Sequence, residues 1–327
     1  MRKVFILFIT TLFFNCTNNN DDGVSSTTTK SRLFAVERIE DNNNRLVSTD
    51  IVEINIKDGT YISTLKSFPL LQARLDYNFT YSSTTNQLLI RHSVFEGNRG
   101  EELIKVDIDS KEEITISSDD VNNIIAVNDG RLFALKRIFD NTLLSIDLVE
   151  VNPEDGSVIA TLESFKALDN APNSDKTGVT NMFYSKETHQ LIIPRRVTFV
   201  INALDDLIKI NINTKEKTVI HTKNYEAMIV GNGRLFALKR TFDSTNSIVS
   251  LDLIELNIND GSEIEILAAF EDWHSIKSEM IYLNATNEII LNRDSFNQEL
   301  IKIDINSKES STINIQSYLA IRGINLI

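Results

Sequence analysis

Five aligned positions along the chain carry amide or carboxylate side chains that could hold a hard cation, Asn78, Asn123, Asn181, Glu226 and Glu279, with Tyr318 in the sixth place. Amides and carboxylates gathered around one opening would suit calcium, which takes six to eight oxygen ligands. The competing reading is a set of hydrated polar residues at the mouth of a wet channel. A second recurring set is cationic: Arg38, Arg91, Arg137, Arg196, Arg240 and Arg293. Arranged in a ring, these would suit an anion. Each precedes an acid, in order Asp50, Glu102, Asp147, Asp206, Asp252 and Glu299. The spacing predicts that they face each other across hairpins as ordinary cross-strand ion pairs.

Other chemistry is sparse. Trp273, the only tryptophan, stands beside His274 in a segment read as a surface loop. A Trp on a loop makes a good contact anchor, and with Tyr318 these two residues form the expected binding surface. A ring packed beneath its own loop is the alternative. Serine occurs in no GxSxG elbow, and the chain has no Walker loop and no GxGxxG. His92, His189, His221 and His274 form no HxH or HxxxH pair, which argues against zinc. Cys16 is the one cysteine, so neither an intrachain disulfide nor a multi-thiolate metal site is possible.

The elements that must position these residues are repeats. Gly130 to Phe165 reads GRLFALKRIFDNTLLSIDLVEVNPEDGSVIATLESF, and Gly233 to Phe270 and Ser31 to Phe68 repeat it. Weaker copies cover 78–116, 181–220 and 279–314. All six share an acidic–aliphatic–aliphatic–Glu/Lys–aliphatic–Asn/Asp element: DIVEIN, ELIKVD, DLVEVN, DLIKIN, DLIELN and ELIKID. Its spacing averages about 50 residues, which suits a propeller blade. Each unit reads as four short strands rich in aliphatic and β-branched residues, bounded by Asn, Asp, Gly and Ser. Three copies turn after the third strand on Asp58-Gly59, Asp155-Gly156 and Asp260-Gly261, pairs that favour tight hairpins. The others carry Asp-Ser-Lys, Asn-Thr-Lys and Asn-Ser-Lys there. Glu53, Glu150 and Glu255 alternate with Lys105, Lys209 and Lys302 at one repeat position, which predicts charge matching from blade to blade.

Four strands repeated six times predict an all-β, six-bladed β-propeller over residues 31–327. Stacked β-sandwiches would not explain the period. The first unit lacks an inner strand, and the tail SYLAIRGINLI (317–327) is a spare one. It is predicted to pair with the first blade and close the ring, leaving no open edge there. The shared hairpin resembles that of the YVTN and quinoprotein-like propellers, a resemblance that implies fold and not activity. The oxygen set at the inner-strand starts resembles the channel-mouth calcium site of gluconolactonase- and paraoxonase-type propellers. That resemblance implies a calcium-dependent hydrolase or lactonase. Longer connections at 69–77, 166–180 and 271–278 fall on the same rim, where binding loops gather.

The N-terminus reads as an export signal. Arg2 and Lys3 precede an apolar run from Val4 to Phe14. Eleven residues rise only about 16 Å as a helix, too short for a bilayer core of about 30 Å. Ending in Cys16, the segment resembles a bacterial lipoprotein signal, with Phe13-Phe14-Asn15 in place of the usual Leu-small-small. This implies a signal over 1–16 and lipidation of Cys16. Residues 17–30 are polar and read as a flexible tether. Asp21-Asp22 resembles the surface-export signal of Bacteroidota lipoproteins.

The net charge of -13 argues against nucleic acid and against a polybasic membrane contact. The sequence therefore predicts a monomeric lipoprotein of the outer membrane, periplasmic or surface-exposed, touching the membrane only through its anchor. Its expected role is non-catalytic binding or scaffolding, with a protein, glycan or small molecule at the rim loops. The calcium-dependent hydrolase is the alternative.

Overall fold

The computed structural model describes residues 8–11, 32–41, 46–55, 57–69, 79–82, 85–94, 100–118, 121–126, 129–140, 142–166, 178–179, 181–195, 205–223, 225–245, 247–271, 276–283, 286–293 and 299–314. They form a six-bladed β-propeller of six four-stranded antiparallel sheets. Blade one contains β1 (Phe8–Thr11), β2 (Arg32–Glu40), β3 (Leu46–Ile54) and β4 (Tyr61–Pro69). Blade two contains β5 (Phe79–Ser82), β6 (Gln87–Val94), β7 (Gly100–Asp107) and β8 (Glu113–Ser118). Blade three follows with β9 (Val121–Ala126), β10 (Leu132–Asp140), β11 (Thr142–Val151) and β12 (Val158–Lys166). Blade four has β13 (Phe183–Ser185), β14 (Gln190–Arg195), β15 (Asp205–Asn211) and β16 (Lys217–Thr222). Blade five has β17 (Ala227–Gly231), β18 (Arg234–Phe242), β19 (Ile248–Leu256) and β20 (Glu263–Phe270). Blade six ends the series with β21 (Ile276–Leu283), β22 (Glu288–Arg293), β23 (Glu299–Asp304) and β24 (Ser310–Asn314). No helix among the described residues is long and apolar enough to cross a membrane.

The first strand of each blade is innermost. β1 neighbours β5 and β21, β5 neighbours β9, and β17 neighbours β13 and β21. Between blades lies an apolar core whose large residues alternate. Phe34, Phe133 and Phe236 on the second strands of blades one, three and five are fully buried, and Leu89, Ile192 and Ile290 take the aligned place in blades two, four and six. Each ring packs in the next blade against the positions flanking the aligned one: Phe34 clusters with Leu88 and Ile90, Phe133 with Leu191 and Ile193, and Phe236 with Ile289, Leu291 and Tyr282, so the layers interdigitate at interior density. One apolar cluster joins Phe34 and Ile51 of blade one to Leu88 and Val106 of blade two and to Leu283 and Ile290 of blade six. Packing of the last blade against the first therefore closes the circle.

A strand from the N-terminal stretch completes the first blade. The inner edge of blade one is covered by β1, in register Phe8↔Ala35 to Thr11↔Arg32. This short β-prone run from the stretch read as a leader meets the unpaired edge of β2, which any free strand edge invites. Residues 317–327 lie outside the described residues, and their expected pairing with them.

The ion-pair reading of the arginines also shifts. The observed register sets Arg137 opposite Ile146 and Arg240 opposite Leu251, so Lys136 and Lys239 face Asp147 and Asp252. A one-residue step in a strand moves a side chain to the other face. Asp252 instead accepts from the Thr241 hydroxyl at 2.6 Å and the Ser250 hydroxyl at 2.8 Å. Only in blade six does the register match the expectation among the described pairs, with Arg293 opposite Glu299. The predicted Glu/Lys matching between blades is replaced by another scheme. Glu150 and Glu255 pair within their own blades, accepting from Arg131 Nε and Arg234 Nε at 2.8 Å each. The Arg131 bond holds the Glu150 carboxyl below the usual carboxylate range. Lys302 pairs with Glu288 in its own blade at 2.9 Å. The crossing is done by Lys105, which donates to Pro153 O at 2.8 Å, and by Lys209, which donates to Ile258 O at 3.1 Å.

Two turn devices recur. After each third strand one residue is left-handed. It is Gly59, Gly156 or Gly261 in the odd blades, and Lys111, Lys215 or Lys308, each at φ 61°, in the even ones. In the even blades the inner hairpin is latched by a tyrosine. Tyr81 donates to Asn86 Oδ1 at 2.9 Å, Tyr184 bonds His189 Nδ1 at 3.2 Å, and Tyr282 donates to Asn287 Oδ1. Each partner sits at positive φ (54°, 51° and 55°), where the side-chain bond helps fix a non-glycine turn.

Thr49 is fully buried on β3, and its hydroxyl finds no partner. The repeat places Ile146 and Leu251 at the aligned positions. Thr49→Val keeps the shape and removes an unsatisfied group, so it is expected to stabilise the fold by about 1 kcal/mol. A denaturant titration checks this: the midpoint should rise with an unchanged slope.

Candidate functional site

The site forms at one rim, where blade four meets blade five. β13 begins only at Phe183, whereas β14 runs on through Pro194 and Arg195. An isolated bridge pairs Val179 with Arg195, and the ladder resumes at Phe183↔Ile192. The inner segment thus spends one residue more than its partner, as in a β-bulge, and swings away from β14. Pro194 has no N–H to offer at that point, which fits a position without a ladder bond to the inner strand. The start of β15 and the residues before β17 complete the wall. The result is a half-open cavity of about 140 Å³ lined by Gly178, Asn181, Phe183, Pro194, Arg195, Asp205, Tyr225, Glu226, Ala227 and Met228.

Its chemistry is mixed. Tyr225 is 5% exposed, and its hydroxyl has no hydrogen-bond partner in the protein. Burial, with a smaller push from Glu263, raises its pKa to about 12, so the phenol is neutral and able to donate across the physiological range. The Oδ1 of Asn181 is likewise buried without a partner. Asp205 is 7% exposed, and its own backbone carbonyl accepts from the Thr222 hydroxyl at 3.1 Å. Arg195 donates from Nη2 to Lys166 O at 3.1 Å and lies 5.8 Å from the Phe165 ring centroid, tying blade three to blade four. Glu226 is gripped by Arg240, with Nε 2.8 Å from Oε1 and Nη2 donating to Oε2 at 2.9 Å. Phe183 and Met228 supply an apolar surface, exposed by 6% and 8%. Buried polar atoms without partners are costly, so a cavity holding two of them is primed for water or a ligand.

Of the expected oxygen set, the structure brings together Asn181 and Glu226. Asn123 and Glu279 lie at the bulged starts of β9 and β21, but their side chains lie outside the described residues. Asn78, Tyr318, Trp273, His274 and Cys16 are outside them altogether. The bidentate grip of Arg240 makes Glu226 a poor calcium ligand, because its negative charge is already matched. Gly178 and Val179 end the long connection 166–180, so that predicted rim segment does reach the cavity. Asp205, Arg195 and Tyr225 were not picked out from the sequence. Two signals were present: Pro194 interrupts an otherwise apolar strand, and Tyr225 stands where the aligned unit has Asn122.

No protein-family model and no curated protein matches the chain. Solved structures do resemble it. A puromycin-hydrolyzing peptidase from Mycobacterium tuberculosis aligns over 92% of this chain and 54% of that chain, at 8% identity and TM-score 0.54. The β-propeller domain of the Trilobed protease from Pyrococcus furiosus, described as having an open velcro topology, aligns over 86% and 81%, at 12% identity and TM-score 0.52. The Pyrococcus horikoshii acylaminoacyl peptidase aligns over 90% and 45%, at 13% identity and TM-score 0.51. This chain thus spans about half the length of the two peptidases. At such identities the likeness establishes the propeller fold alone.

Proposed function

We propose that the chain is a lipid-anchored, extracytoplasmic binding protein whose propeller holds a small polar ligand, without turning it over, in the cavity between blades four and five. The observation that carries this reading is the pair of buried, unpartnered polar groups, Asn181 Oδ1 and the Tyr225 hydroxyl, on one half-open rim cavity. Anchoring is supported by the lone Cys16 after a short apolar run and by the polar tether that follows it; processing at Cys16 would remove β1 with the leader, so blade one of the mature protein would keep β2, β3 and β4. The non-catalytic reading is supported by a sequence with no nucleophile elbow and no phosphate loop.

The test is native mass spectrometry of the protein taken from its own membrane. A ligand adduct is expected on the wild type and not on an Asn181→Ala/Tyr225→Phe variant with the same melting curve. An adduct retained by the variant would remove the cavity as the site. Calcium-dependent turnover of a lactone, lost in Glu226→Gln, would replace the binding reading with the hydrolase.

A further inference from the structure

Resting on the reading of Cys16 as the processed residue, we propose that the inner edge of β2 passes from β1 to the tail (317–327) of the same chain once the leader is removed. In the structure β1 lies on that edge, from Phe8↔Ala35 to Thr11↔Arg32, and neighbours β5 and β21. Processing takes β1 away and leaves open the ladder beside the fully buried Phe34 and Ala35. Backbone groups left unpaired among buried side chains are costly, and a bare strand edge takes up another strand.

Reach selects the occupant. β24 ends at Asn314 in blade six, which packs against blade one. Blade four reaches the inner strand of blade five over residues 223–226, between Thr222 and Ala227. A step of the same length from Asn314, over 315–318, brings Leu319 to the inner place of blade one. Leu319 to Gly323, reading LAIRG, then matches Ala227 to Gly231, reading AMIVG. Carried over from blade five, the register sets Leu319 opposite Val36, Ala320 opposite Ala35, Ile321 opposite Phe34 and Gly323 opposite Arg32. Gly323 thereby takes the place of Gly231, whose lack of a side chain leaves room for the Tyr282 ring of the next blade. Blade two offers the matching ring, since Tyr81 latches its hairpin as Tyr282 does. The tail thus combines the reach, the apolar residues and the glycine placement that this edge calls for.

Disulfide trapping in the protein taken from its own membrane tests this. Cys16 is the only native cysteine, and on the same reading its thiol carries the lipid, so an engineered pair reports alone. Facing residues on paired antiparallel strands have Cα atoms about 4.5–5.5 Å apart, within reach of a disulfide, and a shift of two residues carries them beyond about 7 Å. Ala35→Cys/Ala320→Cys and Val36→Cys/Leu319→Cys are the pairs in register, and Ala35→Cys/Arg322→Cys is the shifted control. At least one pair in register should close within a single chain, several-fold more completely than the control. In the full chain carrying Cys16→Ser and purified without export, which keeps β1, that pair should close several-fold less. A disulfide joining two chains would overturn the proposal in favour of a strand swapped from a second copy. Failure of both pairs in register, or equal closure with and without the leader, would overturn it as well. The mass of the N-terminal peptide judges the Cys16 reading separately: a leader still attached to the membrane protein refutes processing, whatever the disulfides show.

Discussion

Replacing Gly231 with alanine is expected to cost about 3 kcal/mol or more, the upper end for a group forced into a packed core. Gly231 ends the inner strand of blade five and is buried against blade six. A Cβ built on it would fall within the ring of Tyr282. That ring has little freedom to yield. It stacks on Phe236 with centroids 5.6 Å apart and planes 16° from parallel, and its hydroxyl is latched to Asn287. Thermal melts of Gly231→Ala, Tyr282→Leu and the double variant check the cause. The double should be less damaged than the sum of the singles, because the smaller side chain vacates the contested space. Additive losses would mean that the glycine matters for some other reason.

Phe133→Ala should be nearly as damaging, by about 3–5 kcal/mol, because it opens a cavity in a closed core. Phe133 is fully buried between blades three and four, and the Arg131 guanidinium lies 4.9 Å from its ring centroid. That arginine also donates to Glu150 and, across the blade boundary, to Asn213 Oδ1 at 3.2 Å and Ile212 O at 3.3 Å. Losing the ring therefore loosens a polar bridge along with an apolar contact. Phe133→Leu is the informative comparison, since Leu89 fills the aligned place in blade two. It should lose well under half as much in a urea titration. Equal losses for Leu and Ala would contradict the view that apolar volume is what this position supplies.

The repeat made the architecture readable. RLFALKR, the DLVEVN-type strand and the Asp-Gly turn each state a local preference that agrees with a blade, and six spaced copies leave few folds to consider. What stayed hidden depends on neighbours distant in sequence. The lysines at φ 61° carry the same backbone as the turn glycines, but nothing in Lys as a residue type announces it. Arg240 was expected opposite Asp252, and a one-residue register difference gave it to Glu226. Gly231 looks ordinary until the ring from the next blade is placed over it. Likewise, only β2's edge shows why Phe8–Thr11, read as part of a leader, should become a strand. The cavity was half legible. Asn181 and Glu226 stood out by alignment, while Asp205 and Tyr225 acquire meaning only when a short β13 and a bulge bring four separate segments to one opening.

One substitution separates a binding cavity from an accident of packing. Tyr225→Phe deletes a single hydroxyl that has no protein partner, so the melting temperature should hold or rise. If the cavity is where the ligand rests, occupancy by the ligand carried from the native membrane, read by native mass spectrometry, must nevertheless fall at least tenfold. Occupancy that survives in a variant as stable as the wild type would contradict the assignment.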